Sequence, residues 1–160
     1  GFLSTASTKE LTVRPLYRDR LMCFAPKGFK TQHPGCITAE EMHGQTFVVQ
    51  GDATDADAQA FLTKHHLNVR SSCRVVDDLS TIAMVESGFG ICILPALILE
   101  RVQGRVDAYP IEPAEYREFG IAMQNPAMLA PAVRQMAAFI EEFARRKRAE
   151  APETNTGFGE

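Results

Sequence analysis

Residues 77–95 read DDLSTIAMVESGFGICILP and constrain the fold more than any other stretch of the chain. Asp78 is placed to cap a helix, because a short carboxylate accepts hydrogen bonds from the unpaired N–H groups of a first turn. Leu79, Ile82, Ala83 and Val85 follow at i, i+3 and i+4 spacing, which gathers them on one apolar helical face. Gly88 falls where that helix must stop, at a position where left-handed backbone is cheap for glycine. Residues 91–94 form an apolar strand, and Pro95 suits the first turn of a short helix after it. A helix that turns directly into a buried strand is a building unit of α/β folds.

The remaining segments extend that pattern. Strands are expected at residues 11–17 (LTVRPLY), 19–26 (DRLMCFAP), 46–50 (TFVVQ), 69–76 (VRSSCRVV), 106–113 (VDAYPIEP) and 116–123 (YREFGIAM). TFVVQ is apolar without alternation, as in strands covered on both faces. Thr38 and Glu41 have the S/T-x-x-E spacing of a capping box, and Gly44 closes the short helix they open. A second helix is expected at residues 56–66. The longest begins at Pro131, with a stripe of Val133, Met136, Ala137, Ile140 and Phe143 that needs an apolar partner. Residues 149–160 have little to bury and read as a disordered tail. Strands alternating with helices predict an α/β architecture with a mostly parallel sheet.

With 160 residues the chain is sized for one domain or two small lobes. Its net charge of -3 argues against a nucleic-acid surface, because affinity for a phosphate backbone needs clustered positive charge. The basic run Arg145-Arg146-Lys147-Arg148 closes a helix, where cations favour the negative end of the dipole. Cys23, Cys36, Cys73 and Cys92 are widely spaced, without a C-x-x-C pair or a histidine at zinc-ligand spacing. Cys23, Cys73 and Cys92 sit in apolar runs and read as small buried hydrophobes in a reducing, cytoplasmic compartment. No secretory signal opens the chain, and no apolar run approaches the ~20 residues of a membrane span. A start at Gly1 without methionine points to a fragment of a longer protein.

Catalytic motifs are missing. There is no G-x-x-x-x-G-K-[ST] loop and no G-x-S-x-G elbow, and Ser87 reads as a helix C-terminal residue rather than a nucleophile. Gly88-Phe89-Gly90 resembles part of a dinucleotide fingerprint but follows a helix and precedes a strand, the reverse of the order that aims a helix N-terminus at a pyrophosphate. His33, His43, His65 and His66 lack metal-ligand spacing, and Asp52, Asp55 and Asp57 lack the offsets of a calcium loop. No catalytic residue, metal or cofactor is therefore expected. The loop at residues 51–55 is a candidate small-ligand contact, because it follows an apolar strand and precedes a helix, the edge at which open α/β sheets bind ligands.

Taken in order, PLYRDRLMCFAPKG, ITAEEMHGQTFVVQ, VVDDLSTIAMVESGFGICILP, and YREFGIAM before a helix opened by APAV resemble the effector-binding domain of LysR-type transcriptional regulators. The most specific element is D-x-x-T-x-x-x-M-V-x-x-G-x-G-I-x-x-L-P, residues 78–95. The resemblance implies a type 2 periplasmic-binding-protein-like fold: two α/β lobes joined by two crossing strands, with a small molecule held between them and the first lobe incomplete. Residues 18–124 would form the second lobe, 1–17 and 125–148 a remnant of the first, and 149–160 the tail, with crossings near Tyr17 and Arg18 and near Gln124 and Asn125.

By position, the effector contacts implied are Ser4 and Thr5, then Gln50, Gly51, Asp52, Ala53 and Thr54, then Gln124 and Asn125. The effector implied is small and anionic. The full-length regulator would be a dimer or tetramer that meets DNA only through an N-terminal winged helix-turn-helix absent from this sequence, with no membrane partner. Residues 51–64 contain no cysteine, which argues against the peroxide sensing of some relatives. The competing expectation is a stand-alone solute-binding protein of the same fold.

Overall fold

The charged triplet Arg18-Asp19-Arg20 lies inside a single strand, where the sequence pattern placed a break at Arg18. The computed structural model describes residues 2–4, 12–51, 56–102, 104–123 and 130–150, and in it β2 runs unbroken over Thr12–Ala25. Arg18 reads as an interruption in sequence, but it and the two charged residues after it each find a partner of opposite charge: Arg18 with Glu118 at 4.0 Å, Asp19 with Arg117 at 3.3 Å and Arg20 with Glu112 at 2.6 Å. Asp19 is fully buried, and such a carboxylate is tolerable only when paired. The chain forms two units, Gly1–Asp19 with Arg117–Glu160, and Arg20–Tyr116, so β2 passes from one to the other within this triplet.

In the unit Arg20–Tyr116, the second half of β2 has a neighbour on each edge. It pairs antiparallel with β6 (Cys92–Pro95) and with β7 (Asp107–Glu112), and β7 pairs parallel with β3 (Ile37–Thr38). β4 (Thr46–Gln50) lies parallel to β5 (Arg70–Val75). Ile91 joins β4 to the edge before β6, donating to Thr46 O and accepting from Val48 N, both at 2.9 Å. The strands are thus mixed in direction, not mostly parallel as expected. Continuous apolar runs report burial on two faces; they carry no information on direction.

The helices follow their caps. α1 (Ala39–Met42) has the complete capping box, with Glu41 N donating to Thr38 Oγ1 and Thr38 N to the Glu41 carboxylate. α2 (Ala56–Lys64) buries Ala58, Phe61 and Leu62. α3 (Asp78–Glu86) is capped by Asp77, one residue before the expected cap, since Asp77 Oδ1 accepts from Ser80 N at 2.9 Å. The shift turns Leu79 outward and brings Thr81 inward with Ile82 and Val85. Gly88 ends the helix at φ 83°, as expected. Pro95 lies at the N-cap of a 3-10 turn, Ala96–Ile98, and α4 (Leu99–Val102) follows.

The side chains of this unit form two apolar clusters. Leu21, Cys23, Phe47, Val49 and Ile111 belong to one, and Met22, Phe24, Val48, Ile82 and Val85 to the other. Alternate residues of β2 and β4 thus enter opposite clusters, as the two-residue strand period requires. All four cysteines are free; Cys23 and Cys92 are buried, while Cys73 is only partly covered at the edge of the second cluster. Burial pushes the Cys23 thiol up to about 12, which leaves it unreactive.

In the other unit, β1 (Phe2–Ser4) pairs antiparallel with β8 (Tyr116–Met123), and β8 neighbours β2. α5 (Pro131–Glu150) packs its Ala137, Ile140 and Ala144 with Leu16, Tyr17, Ile121 and Met123. The expected stripe is therefore split. Ala137 and Ile140 face the core, whereas Val133, Met136 and Phe143 are exposed together with Phe139. Among the described residues, no helix is long and apolar enough to cross a membrane.

Candidate functional site at the carboxyl edge of the parallel strands

Gln50 ends β4 with a buried side chain. Its amide nitrogen donates to Asp78 Oδ1 at 2.7 Å and to Thr81 Oγ1 at 3.1 Å, and the Thr81 hydroxyl donates to Asp77 O at 2.8 Å. The end of the strand is thereby clipped to the first turn of α3. Gly51 N donates to Val75 O at 3.1 Å, carrying the β4 and β5 ladder one step beyond Gln50. Beyond Gly51 the chain leads to α2, and beyond Val75 to α3, so the carboxyl ends of two parallel strands open toward two helix starts. Open α/β sheets bind small molecules at such edges.

Asp77 adds a second carboxylate to this edge beside Asp78. Its carboxyl accepts from Ser80 N and from Ser80 Oγ, at 2.9 and 2.7 Å, and these bonds hold it below the usual carboxylate range. The charge also suits the positive end of the helix dipole.

Of the expected contacts, the structure brings Gln50 and Gly51 together at this edge. Ser4 lies at the end of β1 in the other unit, in register with Phe119. Thr5, Asp52, Ala53, Thr54, Gln124 and Asn125 lie outside the described residues. Sequence reasoning missed Asp78 and Thr81 as the groups that hold Gln50, and Asp77 as the cap of α3. The signal was ambiguous, because in the pair Asp77-Asp78 either residue has a hydroxyl three positions on, Ser80 or Thr81.

Two other polar constellations occur in the same unit. Glu41 accepts from the backbone of Thr38 and of Gln32, from the Thr38 hydroxyl and, at 3.1 Å, faces His33 Nδ1. Burial alone would raise its pKa, but those bonds outweigh burial and hold it down at about 2. An open depression of about 550 Å³ is lined by Ala39, Glu40, His43, His65 and Leu67. Among the described residues no group of three or more His, Cys, Asp and Glu side chains is arranged to hold a metal ion.

The model of the LysR substrate binding domain matches residues 2–145, and the chain belongs to that family. It is an effector-sensing domain of the LysR-type regulators, and its α/β architecture is the type 2 periplasmic-binding-protein-like fold. The family is one of regulatory domains rather than enzymes.

Solved structures agree. The effector binding domain of QuiR in complex with shikimate matches with a TM-score of 0.77 at 16% identity, over 91% of this chain and 71% of that one. The CcmR regulatory domain of Synechocystis PCC6803 in complex with 2-PG matches at 0.75 and 13% identity, over 90% and 72%. The MetR regulatory domain from N. meningitidis matches at 0.72 and 18% identity, over 88% and 68%. No curated protein sequence matches this chain.

Proposed function

We propose that this domain senses a small anionic molecule on behalf of a bacterial, cytoplasmic LysR-type transcription regulator, by binding and not by catalysis. The observation that carries the reading is the pairing of Gln50 and Gly51 at the carboxyl edge of β4, held against β5 and the first turn of α3. Such an edge offers backbone N–H groups and short polar side chains in a fixed frame, which suits a carboxylate or phosphate. The proposed contacts are Gln50, Gly51, Asp52, Ala53 and Thr54, with Ser4, Thr5, Gln124 and Asn125 completing the set. The buried amide of Gln50 positions the segment after it, and Thr54 supplies a hydroxyl donor.

Ligand affinity that differs between two arrangements of the domain would shift the regulator between states. In the full-length protein, a dimer or tetramer would carry that shift to DNA-binding parts outside this sequence. The known ligands of the QuiR and CcmR domains, shikimate and 2-PG, are the first probes to try. The test is a thermal-shift screen of this chain with both probes and a panel of small carboxylates and phosphates, repeated on Thr54→Ala. An anion that raises the melting temperature of the wild type but not of the variant, with equal melting of the two unliganded proteins, is the expected result. A shift confined to neutral or cationic compounds overturns the anionic assignment, and a shift retained in Thr54→Ala overturns the loop.

A further inference from the structure

Glu115 ties one helix to both places where the chain passes between the two units. Its carboxylate accepts from Lys64 Nζ at 2.5 Å and faces His65 Nε2 at 3.1 Å, at the C-terminal end of α2. Burial alone would raise its pKa, but Lys64 and His65 more than offset this and hold it below the usual range, so the carboxylate is ionised at neutral pH. Its backbone oxygen accepts from Leu21 N at 2.8 Å. Leu21 lies one residue past the point where β2 enters the unit, and Glu115 lies one residue before the chain leaves it.

The helix on the other side of this tie is firmly seated. Phe61 and Leu62 of α2 are buried in the core, the His65 ring stacks on Phe61 at 4.4 Å, and His65 N donates to Phe61 O at 3.0 Å. Displacement of one end of such a helix is therefore carried to the other. α2 begins at Ala56, two residues after Thr54, the last of the proposed effector contacts that follow β4.

We infer that Glu115 is the positioning residue that couples the segment after β4, through α2, to the two connecting strands. A ligand that moves the start of α2 moves Lys64 and His65, and Glu115 passes the movement to Leu21 and to the chain leaving the unit. The link to a ligand rests on the proposed effector loop; the tie itself does not.

NMR-detected amide exchange on the full chain, without ligand, tests the tie in Glu115→Gln and in Lys64→Met. Loss of a partly exposed ion pair is expected to speed exchange roughly threefold at His65, Leu21 and Gly51 in both variants, while Val48 and Ile93 keep their wild-type rates. Unchanged exchange at Leu21 in both variants overturns the coupling. So does an equal rise at every amide, which is the mark of plain destabilisation. A rise at Leu21 with Gly51 unchanged overturns transmission to the effector segment. Failure of the ligand screen would leave these rates untouched, so the two proposals fail separately.

Discussion

The two units bury apolar surface in different ways. In Arg20–Tyr116 the strands are covered on both faces: along β2, Leu21 and Cys23 enter one cluster while Met22 and Phe24 enter the other. In the other unit one cluster, built on Leu16, Ile121, Met123 and Ala137, holds α5 by a single face. Elsewhere on α5, Val133, Met136, Phe139 and Phe143 are exposed. The contrast teaches that a strong apolar pattern does not identify a core residue. Val133, Met136 and Phe143 of the expected stripe are exposed, and of two phenylalanines Phe47 is 2% exposed and Phe139 61%.

The sharpest way to break this comparison is to truncate both rings. Phe47→Ala should destabilise by about 3–5 kcal/mol in urea unfolding, the usual cost of emptying a packed aromatic site. A loss below about 1 kcal/mol would mean that the two-faced core is not tightly packed. Next in size is Gly90→Ala. Gly90 has φ 149°, and an added Cβ would stand 2.4 Å from Thr46 O, against the backbone that Ile91 bonds to. Roughly 2–3 kcal/mol is expected, from strain and from displacement of Ile91 off β4. Gly88→Ala has open space around it, so its left-handed backbone should cost only about 1 kcal/mol. Equal melting temperatures for the two glycine variants would contradict the close approach at Gly90.

Comparable to Gly88→Ala is Thr38→Ala, which removes the cap of α1 at about 1 kcal/mol. The same cluster sets a pH dependence. Because Glu41 titrates at about 2 in the folded protein, its contribution is complete above the ordinary carboxylate range and is lost as pH falls through that range toward about 2. Glu41→Gln should therefore lower stability at neutral pH and flatten its decline in acid; an unchanged acid profile would refute the assignment. Smallest is Phe139→Ala, expected to alter stability by no more than about 0.5 kcal/mol, because its ring is already in water. A cost like that of Phe47→Ala would erase the contrast between the units.

Much of the local structure was legible because its signals are short-range. TFVVQ is a strand because its Phe47, Val48 and Val49 run apolar without a helical period, and Thr38 with Glu41 makes a cap by spacing alone. The cap of α3 was misplaced by one residue because two adjacent aspartates offer the same chemistry. Arg18 looked like a gap because its partner Glu118, like Arg117 for Asp19 and Glu112 for Arg20, is about a hundred residues away. The candidate site was legible only as a segment. Its position after an apolar strand followed from order, whereas the clip between Gln50, Asp78 and Thr81 joins residues that no local pattern connects.

By itself, then, the sequence determined the order of most strands and helices, the capping box of α1 and the family to which they belong. Those properties depend on neighbours a few positions apart. The tertiary structure alone decided strand direction, the passage of β2 between units inside a charged triplet, which face of α5 is buried, and the meeting of Lys64, His65, Leu21 and Glu115. Each of these depends on side chains brought together by the folding of distant segments, where long-range pairing and burial select among conformations that local preferences leave equally open.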